Sequence, residues 1–251
     1  MANLVLDDIC VRFGGLQALT DVSFSLSEGE VIGLIGPNGA GKTTVFNVIT
    51  GVYTASSGKV SYDGKTITGL RPYQVLSMGV ARTFQNIRLF QNMTALENCM
   101  VAQHARSKKG VIGAILRSPS QRREEARIQE KSQQALEFMG LGSMADEVAS
   151  NLPYGHQRRL EIARALASEP HTILLDEPAA GLNPSESMEL MKAIGRITDL
   201  GINVLMVEHD MKVVMGICNR IVVLDHGVMI AQGLPEEIQQ NPDVIEAYLG
   251  Q

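Results

Sequence analysis

The sequence has no cysteine arrangement that could staple a fold or cage a metal. Cys10, Cys99 and Cys218 are far apart, odd in number and without metal-ligand spacing, which predicts reduced thiols in a reducing compartment. Long apolar runs are missing as well: none approaches the ~20 residues that a membrane-crossing helix needs. The opening Met1-Ala2-Asn3 carries neither a charged leader nor an apolar signal stretch, so the expectation is a chain that neither spans a membrane nor is secreted. Nor is there an excess of positive charge, since 22 Lys and Arg stand against 27 Asp and Glu for a net charge of -5. The basic pairs Lys108-Lys109, Arg122-Arg123 and Arg158-Arg159 are short and interleaved with acids. They read as solvated helix faces, and no nucleic-acid surface is expected. No internal repeat or low-complexity tract interrupts the chain.

What is present is an ordinary globular composition, 45% hydrophobic and 20% charged over 251 residues, enough to bury a core without disulfides. Strand patterns are expected over residues 4–13, 22–26 and 30–35, the last a short apolar run ending at Gly36. A helix is expected over 42–50, stopped by Gly51. The character changes after Gln85. Residues 94–167 read as helical, with the charged stretch 121–131 facing solvent. Strand signals return at 172–175, 203–207 and 220–224, alternating with helices, one of which opens at Pro184. The simplest summary is a sheet region interrupted by a helical insert and then resumed.

The strongest chemical pattern is the run Gly36, Pro37, Asn38, Gly39, Ala40, Gly41, Lys42, Thr43, with Thr44 after it. It fits G-x-x-x-x-G-K-[ST]. Glycines there let successive backbone N–H groups turn inward around phosphate oxygens, and the helix that follows adds the positive end of its dipole. Lys42 supplies a full charge to the β- and γ-phosphates, and the Thr43 hydroxyl can ligate Mg2+. A chain of this length would show the match by accident about one time in a hundred, so a nucleotide site is expected. A second apolar run ends in Asp176-Glu177. Asp176 suits a metal contact through water beside a phosphate loop, and Glu177, pointing elsewhere, suits a general base for an attacking water. His209 falls just past the strand pattern 203–207, on the strand edge where phosphates should lie. There it can donate to a γ-phosphate oxygen and hold the water-polarising group.

With these residues in place, the chain resembles the ABC ATPase family along nearly its whole length. Gly36 to Thr43 is its Walker A loop, residues 172–177 its Walker B strand and His209 its switch histidine. The resemblance implies an α/β fold of the P-loop NTPase type, with a RecA-like mixed sheet core, an antiparallel β subdomain and an inserted α-helical subdomain. The whole of 1–251 would be one ATPase domain and 86–165 the insert. It implies ATP and Mg2+ as ligands, with the metal near Thr43, Gln85 and Asp176. Gln85, at the start of the insert, corresponds to a glutamine that ligates Mg2+ and senses the membrane subunit. Phe13 stands at the adenine-stacking aromatic, where a core-packing role is the alternative. Asn183 stands where the family's D-loop usually has Asp. The signature sequence departs from the family's Leu-Ser-Gly-Gly-Gln. Here it is Leu152-Pro153-Tyr154-Gly155-His156, and Pro153 offers neither hydroxyl nor N–H. The Gly155 backbone and the helix start remain as an anion site for a partner's γ-phosphate.

The stretches 79–98, 154–164, 176–184, 208–217 and 241–250 are similar to the branched-chain amino-acid importer subfamily. That similarity implies an ATP-hydrolysing subunit coupled to import of hydrophobic amino acids, peripheral on the inner face of the cell membrane. Its implied partners are two integral membrane permeases, a second ABC ATPase subunit forming a heterodimer and an extracytoplasmic binding protein. Residues 82–100 would form the permease-facing surface, unless Ile87, Leu89, Phe90 and Met93 merely pack inside the insert. Urea or amide uptake, export and lipid extraction are the alternatives within the class. A ribosome- or DNA-acting ATPase would call for a second cassette, a coiled coil or a basic surface, and the sequence has none of these. A regulator without turnover would not need both Glu177 and His209.

Overall fold

The structure is a computed structural model that describes residues 4–104 and 119–249; the Lys108-Lys109 pair lies outside the described residues. The chain opens with β1 (Leu4–Phe13) and β2 (Leu16–Leu26), joined by a tight turn at Gly14-Gly15. β3 (Val31–Ile35) leads into α1 (Lys42–Ile49), and β4 (Ser57–Tyr62) and β5 (Lys65–Thr66) follow. β4 pairs with β1, completing a four-stranded antiparallel sheet in the order β2-β1-β4-β5. α2 (Pro72–Ser77) and β6 (Val80–Arg82) then precede, among the described residues, the helices α3 (Ala95–His104), α4 (Pro119–Phe138) and α5 (Tyr154–Ala167). The remainder alternates: β7 (Thr172–Asp176), α6 (Pro184–Asp199), β8 (Asn203–Val207), α7 (Met211–Ile217), β9 (Arg220–Asp225), β10 (Val228–Gly233), α8 (Pro235–Gln239) and α9 (Pro242–Leu249).

The second sheet has six strands in the order β10-β9-β3-β8-β7-β6. All are parallel except the edge strand β10. Every residue of β3, β7 and β8 is buried, as a parallel sheet covered on both faces requires. Alternate side chains serve two cores. On β7, Ile173 and Leu175 face the helical layer, with Leu160, Ile194 and Ile197. Leu174 faces the other way, into a core shared by α1 and the antiparallel sheet. On β8 the same division puts Val204 and Met206 on the helical side and Leu205 and Val207 on the other. α1 is thus enclosed between two sheets through Val45, Phe46, Val48 and Ile49, which anchors the loop that precedes it.

Most strand expectations hold within a residue or two. The exception is β2, which starts at Leu16, six residues before the expected 22. The pairing with β1 shifts register between Leu6, Ile9, Val11 and Arg12, and Asp21 sits at φ 49. These bulges break the period-two alternation that marks a strand in sequence. α4 carries the charged stretch, and of residues 122–131 only Ile128 is buried.

Candidate active site

The site lies where three neighbouring strands end together. β3 runs into the loop 36–41, β7 ends at Asp176 and β8 ends just before Glu208-His209. Val207 is in register with Leu34 on one side and with Asp176 on the other. The phosphate loop, the two acids and the histidine therefore share one layer at the carboxyl edge of the sheet, where ligands of open α/β sheets bind.

The loop depends on backbone shapes that side chains would obstruct. Gly36 has φ 146, and a Cβ there would lie 2.0 Å from the Leu224 carbonyl oxygen. Gly41, at φ 104, is the residue before α1 and leaves no room beside Leu19. Pro37 and Ala40 are buried, whereas Asn38 and Gly39 face solvent. Lys42 is buried and folds back over the loop, its Nζ donating to the carbonyls of Gly36 (2.6 Å) and Pro37 (2.7 Å). Burial lowers its pKa, against the opposing pull of Glu177 and Asp176; a desolvated ammonium in this position favours an anion. Thr43 is exposed and Thr44 half-buried at the start of α1, where backbone amides have no intrahelical acceptor.

Asp176 and Glu177 are adjacent but diverge, because Glu177 leaves the strand in the left-handed region at φ 48. Such a conformation is uncommon outside glycine and clusters at functional sites. Here it is held by the Glu177 N–H bond to the Val207 carbonyl (2.9 Å) and by the Ala180 N–H bond to the Glu177 carbonyl (3.1 Å). Asp176 is buried and its Oδ2 accepts from Arg82 at 2.9 Å. Glu177 is held from two sides. Its Oε1 accepts from His209 Nε2 at 2.8 Å and its Oε2 from the Gln85 amide at 3.0 Å. Glu208 is buried beneath them, accepting from the Ala179 N–H (2.7 Å) and the His209 N–H (3.2 Å). Burial pushes its carboxyl pKa up, and the nearby Glu177 adds to that push.

The other expected residues lie around this centre. Phe13 closes β1 and is 43% exposed, so the core-packing alternative is excluded. Its ring meets Tyr53 edge-on with centroids 5.0 Å apart. Leu152 is buried and Pro153 is the residue before α5, with no side chain capping the helix. Tyr154 is exposed, Gly155 buried and His156 half-buried on its first turn. Asn183 caps α6, accepting from the Glu186 N–H at 3.0 Å, with Pro184 at the first helical position. Ile87 and Leu89 pack inward, while Phe90 and Met93 are exposed, so the surface 82–100 is divided between the two readings. Cys99 and Cys218 are free thiols whose pKa burial pushes up to about 12, which makes them inert at neutral pH.

The sequence reading missed several charged side chains held away from solvent, Glu161 among them. Arg82 bonds Asp176, donates to Asn47 at 2.7 Å and stacks on Phe46 and Phe84. Glu208 braces the turn after β8. Arg158, expected on a solvated face, is 1% exposed. Its neighbour Arg159 does reach outward to pair with Glu189. The correction follows from the partners: the Arg158 guanidinium reaches the Phe84 and Gln85 carbonyls, more than 70 residues away in sequence. Tyr248, on α9, has its hydroxyl pKa pushed up by burial, against the opposing pull of the Gly36 backbone.

Fold and site together define a phosphate-loop ATPase, with two acids and a histidine beside the loop. The ABC transporter family matches residues 19–180, and a second family, described as branched-chain amino acid ATP-binding cassette transporter, matches residues 228–251. The chain is 48% identical over 249 residues to the high-affinity branched-chain amino acid transport ATP-binding protein LivG of Salmonella typhimurium, covering 99% of this chain and 98% of that one. It is 46% identical, with the same coverage, to the corresponding protein BraF of Pseudomonas aeruginosa. A solved nucleotide-free ATP-binding cassette from an ABC transporter superposes with a TM-score of 0.87 at 32% identity over 100% of both chains. The chain belongs to the ABC transporter family, as an ATP-binding subunit. Among the described residues no helix is long and apolar enough to cross a membrane.

Proposed function

We propose that this chain binds ATP with Mg2+ and hydrolyses it to drive import of branched-chain amino acids through separate membrane subunits. The observation that carries the catalytic part is the two-sided grip on Glu177 by Gln85 and His209. A general base must be oriented within reach of its water, and both carboxylate oxygens are fixed here. The His209 Nε2 must carry the hydrogen, since Glu177 accepts. Lys42 and the N–H groups of the loop other than at Pro37 bind the phosphates, and Phe13 offers its exposed face to the adenine.

Mg2+ suits the donor set. Among the described residues no group of three His, Cys, Asp or Glu side chains could cage an ion. Mg2+ bound to a nucleotide takes much of its shell from phosphates and water and needs few protein oxygens. Thr43, Asp176 and Gln85 would offer oxygens to it, directly or through water, and a bound Mg2+ would supply positive charge beside the phosphates.

The uncapped start of α5 supports a role for Leu152 to His156 in contacting the nucleotide of a partner ATPase subunit. With Pro153 lacking a hydroxyl, that contact is weak, which favours a heterodimer. The exposed Phe90 and Met93 support docking of a permease at the cytoplasmic face of the membrane. Cargo selection is left to the two permeases and an extracytoplasmic binding protein.

In the assembled transporter, Glu177→Gln should keep ATP binding and lose about 10^2–10^4-fold in turnover. Unchanged turnover would remove Glu177 from the reaction. For the cargo, labelled leucine, isoleucine and valine should enter vesicles only with ATP and intact Lys42. A transporter that turns over ATP yet moves none of the three refutes the cargo assignment.

A further inference from the structure

Arg158 is buried at a cost, and packing does not explain it. Its Nε has no hydrogen-bond partner and its nearest carboxylate oxygen, on Glu161, is 3.4 Å away. A buried ion pair of this quality is weak evidence for stability, and an apolar side chain of similar volume would pack as well. What an apolar side chain cannot do is hold backbone carbonyls. Arg158 donates to two consecutive ones, Phe84 at 3.0 Å and Gln85 at 2.9 Å. One turn on, Glu161 accepts from the N–H groups of Phe84 (3.4 Å) and Arg88 (3.3 Å). α5 therefore grips both donors and acceptors of the segment that carries Gln85.

The same guanidinium reaches Glu177 by a second route. Its Nη2 donates to the Tyr154 hydroxyl at 3.2 Å, and that hydroxyl donates to the Ala180 carbonyl at 3.2 Å. Ala180 closes the turn that begins at Glu177. The Tyr154 ring lies so close to Gly181 that a Cβ there would sit 2.9 Å from it. Two paths join Arg158 to Glu177, one through Gln85 to its carboxylate and one through Tyr154 and Ala180 to its backbone carbonyl.

We propose that Arg158 is a positioning residue for hydrolysis: it sets the orientation of Glu177 from the helix whose first turn is the signature sequence. This rests on Glu177 being the base. A displacement of α5 carries Gln85 and Ala180 with it, so contacts made at the start of α5 reach the base of this chain's own nucleotide site.

The test is a double-mutant cycle in the assembled transporter, with kcat and KM for ATP measured separately. Arg158→Lys keeps the charge beside Glu161, but its compact ammonium cannot reproduce the planar fork that spans two carbonyls. It should lower kcat about 10- to 100-fold with KM for ATP within about twofold, since the groups that hold the nucleotide are elsewhere. In a Gln85→Ala background the same substitution should cost at least about threefold less, because one of its two routes to Glu177 is already cut. An equal loss in both backgrounds, or a loss in KM alone, overturns the proposal. Should Arg158→Lys not fold, Tyr154→Phe removes one hydroxyl from an exposed ring. It should lower kcat at unchanged thermal midpoint, and an unchanged kcat overturns the proposal. Full activity of Glu177→Gln would instead sink the assignment of the base, while the cycle would still report whether Arg158 acts through Gln85.

Discussion

Arg82 offers the sharpest test of how the site is held. Its guanidinium and the Asp176 carboxylate meet at 2.9 Å with side chains only 8% and 7% exposed. Removing one member of such a pair leaves an uncompensated buried charge and costs about 3–5 kcal/mol. The lost bond to Asn47 (2.7 Å) adds about 0.5–1.5 kcal/mol. Arg82→Met keeps apolar contact with Phe46 and Phe84, so the expected loss is about 4–6 kcal/mol, a large share of the ~5–15 kcal/mol typical of a domain. Asp176→Asn in the same chain removes the stranded carboxylate, and the double variant should recover about 2 kcal/mol or more of that loss. Urea denaturation at neutral pH reads both. If Arg82→Met loses less than about 1 kcal/mol, or if the two substitutions simply add, the pair does not hold the end of β7.

Restoring a hydroxyl with Pro153→Ser should tighten ATP-dependent closure of the paired ATPase subunits by about 1.5–3 kcal/mol, one hydrogen bond to a charged group; no gain on a dimerisation assay counts against the weakened signature contact. Glu208 has its folded-state pKa raised above that of an ordinary carboxyl, chiefly by burial. The folded chain therefore binds more protons than the unfolded one between those two values, and stability falls as pH rises through that window. Glu208→Gln keeps an acceptor for the Ala179 N–H, so its stability relative to the parent should improve as pH is raised from 4 to 8. A difference that stays flat with pH in denaturant midpoints refutes the burial penalty. Phe90→Asp should leave the basal ATPase of the isolated subunit within about twofold and break the coupling of hydrolysis to uptake; normal coupling would move the permease contact elsewhere.

The phosphate loop was legible in the sequence because its chemistry admits few residue types. Gly36 has no space for a Cβ and Lys42 no substitute for its charge, so identity and spacing alone mark the site. β7 and β8 were legible for a different reason, since strands buried on both faces must be continuously apolar and stand out as short runs. Arg82, Arg158 and Glu208 were not legible. A charged residue in sequence is expected in solvent, and only partners from distant segments make burial tolerable. Asp176 is 94 residues from Arg82, and the Phe84 carbonyl 74 from Arg158. The alternation of β2 was hidden by its bulges, whereas the exposure of Phe13 agrees with the stacking position that the family resemblance implies.

The catalytic arrangement is also more constrained in register than in residue identity. β3, β8 and β7 are adjacent, and Val207 lies opposite both Leu34 and Asp176. The spacing between the loop after β3 and the end of β7 is therefore set by two ladders of backbone hydrogen bonds. Successive strand residues face opposite ways, so a slip of one residue in β8 would turn His209 away from Glu177 and send Val207 into the opposite core. β8 is packed on both faces, with Leu205 and Val207 in one core and Val204 and Met206 in the other, and the fit of these particular side chains holds the register. Burial in the sheet thus fixes where His209 emerges, and the bond to Glu177 follows from packing that lies beneath the site.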